Sequence, residues 1–108
     1  MTETEQKILA MISSAGESKA KAFEALKKVK ESKYDEARAL LEEARTIDLE
    51  AHKAQTELIT AEMSGGENKP EMSLLMVHAQ DHYMTSQLSR DLIEELIDVF
   101  ESKEKGGK

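Results

Sequence analysis

Two histidines and an aspartate crowd the run Leu74-Leu75-Met76-Val77-His78-Ala79-Gln80-Asp81-His82-Tyr83-Met84. On a helix His78 and His82 are at i and i+4, so their rings share a face one turn apart, and Asp81 flanks them at i+3 from His78. Three readings suit that set. A neutral imidazole nitrogen is a nucleophile that accepts a phosphoryl group, and a neighbouring hydrogen-bond acceptor fixes which nitrogen is free. Alternatively, His-x-x-Asp-His could ligate zinc in a hydrolase, although the inverted zinc-protease spacing has Glu where this chain has Asp81. That site needs a third ligand, which only His52 or a carboxylate can supply. The last reading is a non-enzymatic helical adaptor, in which His78, Asp81 and His82 form a buried polar network that fixes helix register. Spacing leaves all three open.

The element that must position these side chains is a long helix. At about 100° per residue, Leu74, Leu75, His78, Asp81, His82 and Thr85 fall on one face, which Leu88, Leu92, Ile93, Leu96, Val99 and Phe100 continue. The apolar stripe predicts that this face looks toward the core, and three ionisable groups interrupt it. Such groups cost several kcal/mol on a buried face unless paired or shared with solvent or a metal.

Two further helices precede it. The first begins at Thr2, with Glu5 completing a Thr-x-x-Glu capping box, and turns Ile8, Ile12, Ala15, Ala22, Phe23, Leu26 and Val29 inward. Gly16 inside that pattern predicts either a close helix crossing or a slight bend. The run Lys27 to Lys33 sets cations at the helix's C-terminal end, where the dipole favours them. The second helix starts near Lys33 or Tyr34 and carries Tyr34, Ala37, Leu40, Leu41, Ala44, Ile47, Ala51, Ala54, Leu58 and Ala61 inward. Glu42, Glu43, Asp48, Glu50 and Glu57 fall mostly on its outer face, and His52 reads as a surface or boundary residue. The abundance of Ala predicts a tightly packed antiparallel pair. Ser64-Gly65-Gly66-Glu67-Asn68-Lys69-Pro70 breaks the helical pattern, after which the third helix is expected from about Glu71 to about Glu101, with Pro70 near its first turn. Residues 1–102 thus form one domain, an all-α antiparallel three-helix bundle of helices about 45 Å long, and 103–108 a flexible polar tail.

Composition agrees and excludes several partners. Among 108 residues, aromatics make up 4% and there is a single Pro, so helix formers dominate. With 22 acidic against 15 basic residues the formal charge is -7, which argues against nucleic acid and anionic membrane surfaces. The absence of Cys rules out disulfides and thiolate metal sites and suits a reducing cytoplasm. Nothing in Met1-Thr2-Glu3-Thr4-Glu5 resembles a signal peptide, and no segment is apolar enough to insert directly in a membrane.

Helix 3 is too apolar for a monomer. Met72, Ala79, Tyr83 and Ile97 lie about a quarter turn from its main stripe, whereas a surface helix needs only about 100° of apolar arc. Packing against copies of itself is expected, and in a symmetric oligomer the Asp81 carboxylates would meet near an axis and repel unless a cation or shared protons intervened.

The segment SLLMVHAQDHYMTSQL, with AGESKAKAFEALK in helix 1 and EAHKAQTELITAE in helix 2, resembles the IIA component of the lactose and cellobiose/diacetylchitobiose class of the bacterial phosphotransferase system. The similarity covers nearly the whole chain. It implies a homotrimer of three-helix bundles in which His78 takes a phosphoryl group from phospho-HPr and passes it to the cysteine of a cognate IIB protein, linked indirectly to the membrane component IIC. Asp81 matches an aspartate at the trimer axis, where three copies share a divalent cation, expected to be magnesium. Gln80 and His82 match supporting neighbours that come from the same or an adjacent subunit. Tyr83 departs from the Leu expected there and reads as a packing change outside the chemistry. Val77-His78-Ala79-Gln80 sits closer to the cellobiose/chitobiose branch than to the lactose branch.

Overall fold

The computed structural model describes residues 1–67 and 69–106. It is an elongated antiparallel bundle of 62 × 22 × 20 Å, built from α1 (Glu3–Lys30), α2 (Tyr34–Ser64) and α3 (Leu74–Gly106). Several helical boundaries have a local cause. Thr2 Oγ1 accepts from the Glu5 N–H at 3.0 Å while the Glu5 carboxylate accepts from the Thr2 N–H at 2.9 Å, the expected reciprocal cap. Ser32 at φ 60 turns the chain between α1 and α2, and Gly65 and Gly66 at φ 69 and 76 end α2. Left-handed backbone of that kind favours glycine.

The third helix starts at Leu74 rather than Glu71. Ser73, not Pro70, sets its first turn: Ser73 Oγ accepts from the Met76 N–H at 3.1 Å, and its carbonyl from the Val77 N–H at 3.0 Å. At the other end α3 runs on through Gly106, past the expected stop at Glu101 and into the stretch read as a tail. Lys103 and Lys105 in its last turn complement the helix dipole, and Glu104 accepts from Ser32 Oγ at 2.8 Å and from Tyr34 Oη, tying that end to the α1–α2 turn. Of the expected break and tail, Asn68, Gly107 and Lys108 lie outside the described residues.

The inward faces are lined by small side chains. Ala15, Ala22, Ala25, Ala37, Ala44 and Ala51 are wholly buried, which lets α1 and α2 pack along most of their length, as expected of an Ala-rich pair. The inward row of α1 is Ile8, Met11, Ala15, Ser18, Ala22, Ala25 and Val29. Phe23, expected inside, is about half exposed and lies off that row. Gly16 marks no close crossing: a Cβ there would meet nothing within 4 Å.

Two apolar clusters fill the bundle. One holds Ile8, Met11, Ala51, Leu58, Met76, Ala79 and Tyr83, the other Ala22, Val29, Leu41, Ala44, Ile93 and Ile97. Buried polar residues Ser18, Asp48 and Ser86 lie between them. Asp48, expected on the outer face of α2, is instead buried and paired with Arg90 of α3, and Ser18 Oγ donates to the Ala44 carbonyl at 2.7 Å.

The largest correction concerns α3. Its buried residues are Met76, Ala79, Tyr83, Ser86, Ile93 and Ile97, whereas Leu74, Leu88, Leu92, Val99 and Phe100 are exposed, Leu88 at 65% and Leu92 at 56%. The expected core stripe thus faces away from α1 and α2, turned by roughly a third of a turn from the true inward face. Tyr83 and Ala79, read as peripheral, are core. The inward face sets the small Ala79 and Ser86 among the larger Met76, Tyr83, Ile93 and Ile97, while the Leu-rich side stays outside.

Candidate functional site

The turn of α3 from His78 to Thr85 is helical and continuous. Thr85 Oγ1 donates to the carbonyls of Asp81 and His82, at 2.7 and 3.3 Å. His78 and Asp81 are exposed and His82 is half-buried, so the ionisable groups that appeared to interrupt a buried stripe largely avoid the desolvation cost. The two rings meet edge to face, with centroids 4.5 Å apart and an interplanar angle of 74°. His82 is the ring nearer the core. Its Nδ1 is buried without a hydrogen-bond partner, and desolvation first, then the proximity of His78 and the charge of Lys19, hold its pKa below the ordinary histidine value, against the opposing pull of Asp81. Half-buried His82 beside an exposed His78 leaves the latter's ring open to an incoming group.

Gln80 is not beside them within the chain. Two residues along a helix is about 200° around it, and the Gln80 amide contacts Met76 Sδ at 3.7 Å on the side nearer α2. Asp81 projects from the face opposite the core, and its carboxylate joins no ion pair among the described residues. His52 spends its Nδ1 on Tyr83 Oη at 2.8 Å. Among the described residues no group of three His, Cys, Asp or Glu is placed to hold a metal within one chain, so the third ligand of the zinc reading is missing. Sequence reasoning missed two partnerships here, Tyr83 with His52 and Arg90 with Asp48. It also passed over Lys19, whose only signal was its place beside the inward Ser18.

A concavity of about 650 Å³ lies at one end of the bundle, lined by Thr2, Lys7, Glu57, Ser73 and Leu75 among others. It contains none of the candidate residues. A substrate-enclosing enzyme needs such a cleft beside its chemistry, whereas a group carrier needs its reactive atom outside, within reach of other proteins. His78 satisfies the second requirement.

Comparison with known proteins decides between the remaining readings. Residues 6–101 match the family described as PTS system, Lactose/Cellobiose specific IIA subunit. The chain belongs to this IIA family. It is 42% identical to the N,N'-diacetylchitobiose-specific EIIA component of Escherichia coli K12 over 99 residues, 92% of this chain and 84% of that protein. The cellobiose-specific enzyme IIA of Bacillus anthracis superposes with a TM-score of 0.90 at 38% identity, covering 97% of this chain and 94% of that one. The IIA(Chitobiose) chain solved in complex with HPr from E. coli gives 0.80 at 38% identity, over 96% and 99%. As a IIA component the protein is a phosphotransferase of the sugar-transport phosphotransferase system and works by carrying phosphohistidine. Among the described residues no helix is long and apolar enough to cross a membrane.

Proposed function

We propose that His78 is the phosphorylated residue of this IIA protein, taking the group from phospho-HPr and giving it to the cysteine of a cognate IIB protein in the cytoplasm, during uptake of a β-disaccharide through a membrane component IIC. The observation that carries the reading is the exposed His78 ring held edge-on to a half-buried His82 in the VHAQDH turn. In the accepting step a lone pair on one His78 ring nitrogen attacks phosphorus and the N–P bond of the donor histidine breaks, its electron pair returning to the donor ring. The proton lost from the other His78 nitrogen and the one gained by the donor ring balance through solvent. Little covalent work is asked of the protein; positioning and charge stabilisation dominate. His82 restrains the His78 ring. Gln80, on the far side of its own helix, supports the site of a neighbouring subunit rather than its own.

The same reading makes the protein a homotrimer packed through the outward face of α3. Leu74, Asp81, Leu88 and Leu92 recur there at steps of seven and four, the pattern of a coiled-coil seam with His78 at its edge rather than within it, and Leu88 and Leu92 are largely exposed in the single chain. Asp81 falls in that seam. Three carboxylates around an axis fit a hard, oxygen-seeking divalent cation such as magnesium, and the Asp81 side chain, unpaired and pointing outward, has the donor type such an ion needs. The ion would relieve repulsion in the assembly and has no part in the transfer. Val77 and Ala79 beside the histidine favour a cellobiose or chitobiose system over a lactose one.

Incubation with enzyme I, HPr and phosphoenolpyruvate tests the assignment. Acid-labile phosphate is expected on the protein and should be absent from a His78→Ala variant; undiminished labelling of that variant would exclude His78.

A further inference from the structure

Each of the three seams of the bundle can be read from its bonds. Lys21–Glu43 and Lys28–Glu36 span α1 to α2. Arg38–Asp98, Arg38–Glu101, Arg45–Glu94 and Arg90–Asp48 span α2 to α3. These pairs use one edge of α1 and one edge of α3. In a three-helix bundle the opposite edges must then face each other, which brings Ile12, Gly16 and Lys19 of α1 against Leu75, His82 and Ser89 of α3. Among the described residues no ion pair crosses this third seam.

Lys19 is the cation in the middle of that seam. It is only partly exposed, and it takes part in none of the ion pairs among the described residues, although neighbouring Lys21 makes two. A partly covered lysine without a counter-charge among the described residues is an unbalanced feature in a chain of net charge -7. Side chains on a helix tilt toward its N-terminus, and α1 and α3 run parallel, so the lysine stem leans from its own level back toward His82 and the His78 turn. The His82 ring centroid lies 4.5 Å from that of His78. Gly16, one turn N-terminal on the same edge, leaves the approach open, since even a Cβ there would touch nothing.

We propose that Lys19 is the counter-charge for the phosphoryl group carried on His78, swinging into the α1–α3 seam to hold the dianion. Lysine suits this task as a flexible point charge with three rotatable donors. It is free in the unphosphorylated protein because its partner arrives only with the phosphate. This assignment rests on His78 being the carrier, and the experiment separates the two.

Wild type, Lys19→Met and Lys19→Arg are phosphorylated with enzyme I, HPr and phosphoenolpyruvate. The rate of labelling is followed, and the second ionisation of the bound phosphoryl group is read by phosphorus NMR across pH. Lys19→Met should label roughly tenfold or more slowly, with the phosphoryl pKa moved upward because the dianion has lost its cation. Lys19→Arg should retain most of both. Absence of label from wild type would remove the His78 reading itself. Normal labelling of wild type with an unmoved phosphoryl pKa in Lys19→Met, or equal losses in the Met and Arg variants, would overturn the role of Lys19 alone. If Met disturbs folding, Lys19→Gln set against Lys19→Arg gives the same comparison.

Discussion

The Asp48–Arg90 pair offers the sharpest test of how the bundle is held together. Its side chains are 4% and 13% exposed, deep enough that water cannot replace a missing partner. Arg90→Met, with Asp48 left in place, strands a buried carboxylate and should cost about 3–5 kcal/mol. That is a large fraction of the roughly 5–15 kcal/mol that holds a domain together, and at about 4–8 °C per kcal/mol it lowers the melting temperature by some tens of degrees. The pair is also incompletely satisfied: Asp48 Oδ1, Arg90 Nε and the adjacent Ser86 Oγ are buried without partners. The attraction therefore does not fully offset the desolvation of both ions, and the double variant Asp48→Leu/Arg90→Met should recover wild-type stability or exceed it. Urea unfolding followed by helical circular dichroism measures all three proteins, at one fixed protein concentration because any self-association would add to apparent stability. A loss below about 1 kcal/mol for Arg90→Met would be the behaviour of a solvated surface pair. It would refute the claim that this contact is buried.

Other perturbations reach different parts of the molecule. Asp81→Leu should give a trimer that is indifferent to chelator, while wild type weakens when divalent cations are removed; sedimentation velocity with and without chelator reads both, and a monomeric Asp81→Leu protein would contradict the axial placement. Leu88→Asp should break the oligomer into helical protomers, because Leu88 is 65% exposed within one chain; loss of helicity would mean that it belongs to the protomer core. Hydrogen bonds from Tyr34 and then Ser32 hold the Glu104 carboxyl below its ordinary 4.5, so in acid the unfolded chain binds the proton more readily and the contribution, complete above 4.5, is lost as pH falls through the folded value. Tyr34→Phe should therefore lower the melting temperature at neutral pH and narrow its deficit below about pH 4; a deficit that stays constant with pH would detach the effect from Glu104.

Local signals in this chain were legible because their partners are neighbours. Thr2 and Glu5 cap a helix from three residues apart, and Gly65 and Gly66 end one through their own backbone freedom. The chemistry was legible for the same reason, since helical geometry alone puts His78 and His82 in ring contact. Fold class followed from composition, and family from the VHAQDH segment.

Orientation was not legible. α3 carries apolar side chains around most of its circumference, so periodicity offered two faces and gave no means of ranking them. The choice was made by the fit of α3 as a whole against α1 and α2, which takes Ala79, Tyr83, Ser86 and Ile93 inward and turns Leu88 and Leu92 out. Asp48 looked like an outer carboxylate because the guanidinium that keeps it inside is 42 residues away, and Lys19 looked like one surface cation among many. The sequence by itself determined the helices, their caps and the pair of histidines, all set by interactions within a turn or two. Only the tertiary structure decided that His78 and Asp81 face outward, that an ion pair divides the core, and that Lys19 lies on the α1 edge facing the His82 turn, because burial and pairing depend on which distant surfaces fit together.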